Sequence, residues 1–325
     1  MSSGDLFGDM EPDAHLVQFR QADDLGLTHN VSRYLAEGWA RGDDLAVIAT
    51  PQHRRQIQRL LAREVIDWDA AIQANRLTVL DAKETLDRIT IGGQLDWELC
   101  RKMLEDFIAQ DGARAQNGLR IYVEMVGVLW APGQRDRAML LEVYWNRRNG
   151  LPGFNLLCGY PIEVWSEEIA SSAAEAILSQ HTRLASTGWR EDLESALDRA
   201  VAEGLDPHAS AAAAPKTYAE DASTEMPHAE ATILWLWAAA PDQAAQILTR
   251  ARQYFTELRS AGSPAPAGAL KPFFDRLSSR ERDALTRFYV RGESPSKIHA
   301  ATGIRESELR QLRLRARAFY RETQH

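Results

Sequence analysis

Short apolar runs alternate with amphipathic segments of helical length along the first half of the chain. The apolar runs are rich in β-branched and aromatic residues, and they lie at 15–19, 44–50, 77–81, 119–124 and 154–160. Strands of this kind, separated by helical intervals, are typical of parallel sheets that helices cover on both faces. The pattern therefore predicts an α/β fold with a mainly parallel sheet flanked by helices.

The intervals between the strands have the apolar spacing of helices. Helices are predicted near residues 28–40, from Pro51 to about residue 65, at 82–89 and at 96–110, with one more between the last two strands. A further helix is expected from residue 163 to about 184. It would close an α/β domain that covers residues 13–185.

The rest of the chain is predicted to be helical and interrupted by flexible segments. Residues 203–228 are rich in Ala, Ser and Pro with little periodicity, which indicates a linker, placed at 186–226. Two helices follow in a connector at 227–262. Trp235 and Trp237 are expected to be exposed on the first of them, which makes the connector a candidate dimer contact. A second break at 260–266 precedes an all-α domain at 271–325.

Composition excludes several classes of protein. Apolar residues make up 45% of the chain and charged residues 26%, as in ordinary globular proteins. The sequence contains no run of the roughly 18 apolar residues that a membrane span needs, and its polar, acidic start is unlike a signal peptide. Cys100 and Cys158 are too few for a disulfide framework, so a cytoplasmic protein without membrane contact is expected.

The net charge of −8 hides an uneven distribution. Residues 271–325 contain 13 Lys and Arg against 7 Asp and Glu, whereas the rest of the chain has a net charge of −14. A basic segment attached to an acidic body is typical of a nucleic-acid reader joined to another domain. A solvated helical face would have the same balance, so charge alone leaves both interpretations open.

Residues 277–322 have the plan of a helix-turn-helix. Ser278 and Glu281 form a predicted capping box, Gly303 ends a second short helix, and a basic helix begins near residue 306. The order L-S-x-R-E-R, G-x-S, I-x-x-x-x-G-I and L-R-x-x-x-x-R-A-R resembles region 4 of sigma-70-type factors and the related LuxR-type output domains. The resemblance implies binding to double-stranded promoter DNA through the basic helix.

By position in that motif, nine residues are expected to face DNA bases or phosphates. They are Arg305, Glu306, Ser307, Glu308, Arg310, Gln311, Arg313, Arg315 and Arg317. Three features depart from the pattern: Arg305 replaces the usual Ser or Thr cap, His299 replaces a small residue, and Leu312 shifts the apolar stripe. These departures leave an alternative, in which the domain binds RNA polymerase, a sigma factor or an anti-sigma protein.

The first domain also contains a series of short motifs in a recognisable order. They are H-x-x-x-F at His15 and Phe19, D-L-A-V-I-A-T before Pro51, L-T-V-L-D-A at 77–82, E-M at 124–125, Asn146, and L-C-x-Y at 157–160. In order and spacing they resemble the MEDS family of methanogen and methylotroph sensory domains, over about residues 13–185. The resemblance implies a core related to RecA and KaiC and the sensing of small organic compounds. His181 fits a histidine of the family's last helix, and Val17 stands where a cysteine is frequent.

A small, mostly apolar organic ligand is therefore expected near the carboxyl ends of the strands. The candidate ligand-binding residues are His15, Phe19, Glu124, Trp130, Cys158, Tyr160 and His181. His15 and Cys158 can equally be core residues, Glu124 a satisfied structural carboxylate, and Trp130, on the loop after the strand, a cover for the sheet edge. The histidines and cysteine lack the close spacing of a zinc motif, so no metal and no cofactor is predicted.

Catalytic motifs are absent from the sequence, which argues against an enzyme. There is no G-x-x-x-x-G-K-[ST] phosphate loop, no G-x-G-x-x-G after the first strand, no G-x-S-x-G elbow and no H-E-x-x-H. The favoured hypothesis is a one-component transcription regulator, expected to be a homodimer, in which a ligand bound at 13–185 modulates DNA binding by the C-terminal domain. The alternative is a protein-interaction switch with the polymerase or sigma-related partner named above.

Overall fold

We describe the protein from a computed structural model of the chain. The structure describes residues 13–20, 25–63, 66–109, 118–147, 154–187, 189–205, 224–262, 276–289, 295–305, 307–309, 311–312 and 315. The chain divides into two compact units, residues 1–252 and residues 253–325. In the described part of the chain, no helix is long and apolar enough to cross a membrane. Neither Cys100 nor Cys158 forms a disulfide with another described residue, and both are buried.

A parallel sheet forms the centre of the first unit. Among the described residues it has six strands in the order β3-β2-β6-β7-β1-β8, and a short β4-β5 hairpin lies apart from it. The strands are β1 His15–Arg20, β2 Asp44–Ala49, β3 Leu77–Asp81, β4 Thr90–Ile91, β5 Gln94–Leu95, β6 Leu119–Val123, β7 Phe154–Glu163 and β8 Arg183–Leu184. The prediction of a parallel sheet is thus confirmed, and so are its five main strands.

Helices flank this sheet, as the sequence predicts for an α/β fold. The helices of the first unit are α1 Leu25–Arg41, α2 Pro51–Arg63, α3 Trp68–Gln73, α4 Ala82–Arg88, α5 Trp97–Ala109, α6 Met125–Trp130, α7 Arg135–Asn146, α8 Ser172–Leu178, α9 Arg190–Gly204 and α10 His228–Ala239. Helix α11, Pro241–Gly262, begins in the first unit and ends in the second. One core cluster joins α1 and α2 to one face of the sheet through Leu16 and Leu157 of the strands, Leu35 of α1 and Ile57 of α2. The opposite face is the one that carries the candidate site.

The prediction of a single helix from residue 163 to about 184 is wrong. Strand β7 continues to Glu163 because it pairs with Arg20 of β1, and a 3-10 turn, the short helix α8 and β8 follow. Ser171 begins α8, since its hydroxyl accepts a hydrogen bond from the amide of Ala174 at 3.2 Å. Two helices, α6 and α7, also replace the single one expected between the last two main strands.

Helix α9 lies inside the segment that was predicted to be a linker. Its buried residues Leu193, Ala196, Leu197 and Ala200 recur at the spacing of an amphipathic helix. The prediction of a linker over 186–226 is therefore wrong for this helix, and residues 206–223 lie outside the described residues. In the connector, α10 and α11 match the two predicted helices, but Trp235 and Trp237 are half-buried and not exposed.

Glu230 of α10 is a buried carboxyl group that fixes the chain after β8. It accepts hydrogen bonds from the amide of Thr187 at 2.8 Å and from the Thr187 hydroxyl at 3.1 Å. Its other oxygen has no hydrogen-bond partner among the described residues. Burial raises the pKa of Glu230, the two Thr187 bonds oppose the rise, and the nearby charge of Glu194 adds to it.

This shift predicts a pH dependence of stability. A carboxyl group whose pKa is raised by folding binds more protons in the folded protein than in the unfolded protein. Its contribution to stability is therefore complete below the ordinary pKa of about 4.3, and it is lost as the pH rises through the pKa of the folded protein. We expect Glu230→Gln, which keeps the acceptor for Thr187, to unfold at higher urea than wild type at pH 7 and to show a smaller difference near pH 4. All nine tryptophans lie in residues 1–252, so tryptophan fluorescence reports on this unit.

The control for this measurement is Glu175→Gln, a change of the same kind at an exposed position of α8. Its unfolding midpoint should follow that of wild type at every pH. If the Glu230→Gln and wild-type midpoints ran parallel from pH 4 to pH 7, the proposed role of Glu230 would be refuted.

The second unit is helical in its described part. It contains α12 Ser279–Tyr289, α13 Pro295–Thr302, and helical residues at 307–309, 311–312 and 315. A small apolar core holds these segments together, formed by Leu277, Ala284, Leu285, Ile298, Ile304, Leu309 and Leu312. The predicted capping box is present: Ser278 Oγ accepts from the amide of Glu281 at 3.2 Å, and Glu281 accepts from the amide of Ser278 at 2.9 Å.

A tight turn separates α13 from the helical residues that follow. Gly303 has a φ of +68°, a backbone conformation that glycine adopts without steric strain. The guanidinium of Arg280 donates a hydrogen bond to the carbonyl of Thr302 and so joins α12 to this turn. The buried Leu309 and Leu312 then direct the next helical segment back onto the core.

Candidate functional site

Four buried side chains with metal-binding or acid–base chemistry meet on one face of the sheet. His15 begins β1, Cys158 lies in β7, Glu142 lies on α7, and His181 follows α8. One donor atom from each residue lies within 4.8 Å of the donor atoms of all the others. We call these four residues the His–Glu–Cys cluster.

Parallel pairing of β1 with β7 brings two of these residues together. In this register Val17 lies opposite Cys158, and His15 lies two residues earlier on the same face of β1 because side chains alternate along a strand. The peptide after His181 is held against β1, since the amide of Thr182 donates to the carbonyl of His15 at 2.8 Å. Residues distant in sequence are thus placed side by side by strand order.

The distances inside the His–Glu–Cys cluster are short but mostly longer than good hydrogen bonds. His15 Nε2 lies 3.3 Å from Glu142 Oε2 and 3.4 Å from Cys158 Sγ. His181 Nε2 lies 3.5 Å from Glu142 Oε1, and Cys158 Sγ lies 3.8 Å from Glu142 Oε2. The two imidazole rings are 4.1 Å apart between centroids.

Outer hydrogen bonds fix the orientation of both histidines. His181 Nδ1 lies 2.7 Å from the carbonyl of Ile177, which can only accept, so the proton is on Nδ1. Asn146 Nδ2 donates to the carbonyl of Gln180 at 3.1 Å, which orients Asn146 Oδ1 as the acceptor for His15 Nδ1 at 2.9 Å. When the proton of a neutral ring is on Nδ1, its Nε2 lone pair is directed into the cluster.

The carboxylate of Glu142 has an outer partner as well. The hydroxyl of Tyr160 donates to Glu142 Oε1 at 2.7 Å. Burial would raise the pKa of Glu142, but His181, His15 and this hydroxyl outweigh it and keep the pKa below its ordinary value. Burial, together with His15, lowers the pKa of His181 to about 4, so its ring is neutral at pH 7.

The predicted aromatic ligand residues pack next to the cluster. Phe19 pairs in register with Tyr160, and Trp130 meets Tyr160 edge to face with centroids 5.4 Å apart. Trp130 ends α6, so the expectation that it lies on a loop is wrong, and its indole Nε1 donates to Glu168 at 3.1 Å. All three rings are almost completely buried by protein groups.

Glu124 contacts a different part of the first unit from the other six predicted ligand residues. Its carboxylate accepts from the amide of Thr50 at 2.7 Å and lies 2.7 Å from His53 Nδ1. Glu124 therefore joins the end of β6 to the start of α2. This arrangement agrees with the alternative interpretation of a satisfied structural carboxylate, and it does not bring Glu124 together with Cys158 and Tyr160 in a shared crevice.

A cleft does lie at the carboxyl ends of the strands, where a ligand was expected. Its lining includes Pro51, Arg54, Asp81, Glu84 and Arg88. In the described part of the chain, this lining contains none of the seven predicted ligand residues and is dominated by charged groups. The His–Glu–Cys cluster is instead in the interior, beneath α7.

The sequence interpretation missed Glu142, although a signal was present. On α7, Glu142 lies four residues after Ala138 and three before Trp145, and both of these are buried. An acid on the apolar face of a helix is a buried charge that needs a partner. The fully buried Glu142 is thus the residue that links the two predicted histidines to Cys158.

In the second unit, the described candidates for DNA contact are all exposed. They are Arg305, Ser307, Glu308, Gln311 and Arg315, whereas Glu306, Arg310, Arg313 and Arg317 lie outside the residues whose side chains are described. Arg305 does not cap the helix with its side chain. Its amide donates instead to Glu308 Oε2 at 2.8 Å, and its guanidinium lies 3.1 Å from Glu308 Oε1. Arg315 lies 3.5 Å from Glu281.

Comparison with known proteins gives one family. The sequence profile described as MEDS, "MEthanogen/methylotroph, DcmR Sensory domain", matches residues 14–182, just over half of the chain. The match includes all four residues of the His–Glu–Cys cluster and all of the main strands. No curated protein matches the chain.

Proposed function

The chain belongs to the MEDS family of sensory domains, and we propose that it is a one-component transcription regulator in which a small organic ligand, bound by the first unit, modulates DNA binding by a helix-turn-helix in the second. A ligand-sensing, regulatory role follows from the family. We propose in addition that the ligand is a small organic compound, that the second unit binds DNA, and that ligand binding changes the affinity for DNA. We also propose that the sheet is related to the RecA and KaiC core and that the protein acts by binding, without catalysis.

One observation carries the proposal of DNA binding. Ser307, Gln311 and Arg315 are exposed and recur every four residues, whereas Leu309 and Leu312 of the same segment are buried in the small core. A helix held by its apolar side with its polar side outward is the arrangement that a recognition helix needs to enter the major groove. The tight turn at Gly303 and the excess of Lys and Arg in residues 271–325 support the same proposal.

The proposed coupling needs a ligand that distinguishes two states of the protein. A ligand shifts an equilibrium only by the difference between its affinities for the two states. We propose a homodimer, in which case the DNA sites should consist of palindromic half-sites.

The alternative is a protein-interaction switch that binds polymerase, a sigma factor or an anti-sigma protein. The contact between Arg305 and Glu308 favours it, because it places an exposed acid on the face that would approach phosphates. A carboxylate there opposes DNA and suits a basic protein surface. The two candidates differ in their dependence on salt, since phosphate contacts make DNA binding fall steeply as ionic strength rises.

Recovery of genomic DNA fragments by the purified full-length protein tests this proposal. We expect discrete fragments to be enriched, the enrichment to fall steeply between two salt concentrations, and the double variant Arg310→Ala/Gln311→Ala to lose it. The matched control is Arg55→Ala/Gln52→Ala, which removes the same two residue types from exposed positions of α2. If wild type recovered no discrete fragments, the proposed DNA binding would be wrong, and co-purification should then identify a protein partner. If Arg310→Ala/Gln311→Ala recovered the same fragments as wild type, the assignment of DNA recognition to these two residues would be wrong.

A further inference from the structure

We propose that the His–Glu–Cys cluster binds one divalent transition-metal ion of the zinc class, through His15 Nε2, His181 Nε2, Cys158 Sγ and the carboxylate of Glu142. This inference does not depend on the proposed DNA binding. It identifies a metal site inside the sensory unit, in addition to any site for an organic ligand. Distances, orientation and charge support it separately.

Four donor separations match or approach those of a tetrahedral metal site, with Glu142 facing His15 and Cys158 through Oε2 and His181 through Oε1. One donor atom from each of the four residues lies within 4.8 Å of the other three. Zinc binds nitrogen and oxygen at about 2.0–2.1 Å and sulfur at about 2.3 Å, so tetrahedral angles place neighbouring donors roughly 3.3–3.7 Å apart. The observed separations of 3.3 Å and 3.5 Å between histidine nitrogens and Glu142, and of 3.4 Å between His15 and Cys158, lie in this range. Cys158 and Glu142, at 3.8 Å, lie just beyond it.

Hydrogen bonding alone leaves the cluster poorly satisfied. His181 Nε2 is completely buried and has no hydrogen-bond partner among the described residues. With Nδ1 protonated, this nitrogen presents a lone pair to the carboxylate oxygen 3.5 Å away. Two acceptors facing each other without a donor are unfavourable in a buried site, and a cation between them removes the conflict.

The outer hydrogen bonds resemble the supports that metal ligands have in proteins. A histidine that binds a metal donates its other ring N–H to a carbonyl or carboxylate, which fixes the tautomer and the ring. Here Ile177 O supports His181, Asn146 Oδ1 supports His15, and the Tyr160 hydroxyl supports Glu142. The site is therefore oriented for coordination before any metal binds.

The charges and donor types indicate which metal fits. A thiolate and a carboxylate supply two negative charges and the two imidazoles none, so a divalent ion makes this buried site neutral. Nitrogen and sulfur donors favour zinc or cobalt over magnesium and calcium, which prefer oxygen. Four protein ligands complete a tetrahedron, so the site is of the closed, structural kind and does not hold a catalytic water.

Cobalt(II) titration of the untagged, metal-free full-length protein under reducing conditions tests the site. We expect the visible bands of tetrahedral Co²⁺ and a near-ultraviolet band from thiolate charge transfer, both saturating at one equivalent and both abolished by Zn²⁺. Cys158→Ser should lose the charge-transfer band and bind Co²⁺ more than about 100-fold more weakly. Asn146→Ala, which removes only the support of His15, should weaken binding on the order of 10- to 100-fold.

The matched control is Cys100→Ser, because Cys100 is equally buried but lies on α5, outside the cluster. It should keep the wild-type spectrum and stoichiometry. The proposal is overturned if wild type shows no tetrahedral bands at one equivalent of Co²⁺, or if Cys100→Ser loses them while Cys158→Ser retains them. The wild-type spectrum decides the question even if a variant fails to fold, which tryptophan fluorescence reports.

Discussion

Arg120→Ala is expected to destabilise the first unit by about 3–5 kcal/mol, because it breaks a buried ion pair from one side. The Arg120 side chain is 1% exposed, and its Nε donates to Asp43 Oδ2 at 2.9 Å. A second guanidinium nitrogen donates to the carbonyl of Tyr34 at 2.8 Å. Removal of the arginine deprives the mostly buried Asp43 carboxylate of its countercharge and leaves a cavity between α1 and β6.

Urea unfolding followed by tryptophan fluorescence measures this effect in the first unit. The control is Arg101→Ala, whose ion pairs with Glu98 and Glu105 are exposed, and which should leave the midpoint unchanged. A midpoint for Arg120→Ala no lower than that of Arg101→Ala would contradict the prediction.

A double-mutant cycle with Gly38 makes the test more specific. A Cβ at Gly38 would overlap Arg120 Cδ, so Gly38→Ala forces the buried arginine to move. We expect Gly38→Ala to destabilise wild type but to be neutral or slightly stabilising in the Arg120→Ala background, since the clash is then gone and alanine is the better helix former. Additive effects would show that the two residues do not share this space.

The elements that the sequence predicts well are those with a strong local pattern. Strands β2 and β6 are mainly apolar and are buried at every position, including Asp44 and Arg120, and both were predicted within one residue of their observed ends. The capping box at Ser278 was also predictable, because it depends on two side chains only three residues apart. In both cases the information needed is contained in the segment itself.

The errors occurred where a distant partner decides the local structure. The residues after Glu163 include many good helix formers, yet β7 continues to Glu163 because β1 offers an extended partner there. In the same way, His15, Cys158 and His181 lack the sequence spacing of a metal motif, and only the parallel pairing of β1 with β7 and the turn at Thr182 bring them together. Strand order is a property of the whole sheet, which local periodicity does not determine.

Removal of the metal is the second change for which we expect a large effect. A ligand that binds only the folded state stabilises it by RT ln(1 + [L]/Kd), which is about 2.7 kcal/mol when free metal is 100 times Kd. The His–Glu–Cys cluster joins β1, α7, β7 and the segment before β8, so metal would stabilise the whole sheet face. We therefore expect a chelator to lower the urea midpoint of wild type and added Zn²⁺ to restore it.

The His–Glu–Cys cluster could instead be a buried ion pair that needs no metal, and variants of its residues distinguish the two arrangements. If His15 and Glu142 formed such a pair, Glu142→Gln would destabilise the protein and neither chelator nor Zn²⁺ would move the wild-type midpoint. If the cluster holds a metal, Cys158→Ser should lower the midpoint in the presence of Zn²⁺ and should no longer respond to chelator, whereas Cys100→Ser should respond like wild type. Because the ion pair does not need the thiolate, the response of Cys158→Ser to Zn²⁺ distinguishes the two arrangements.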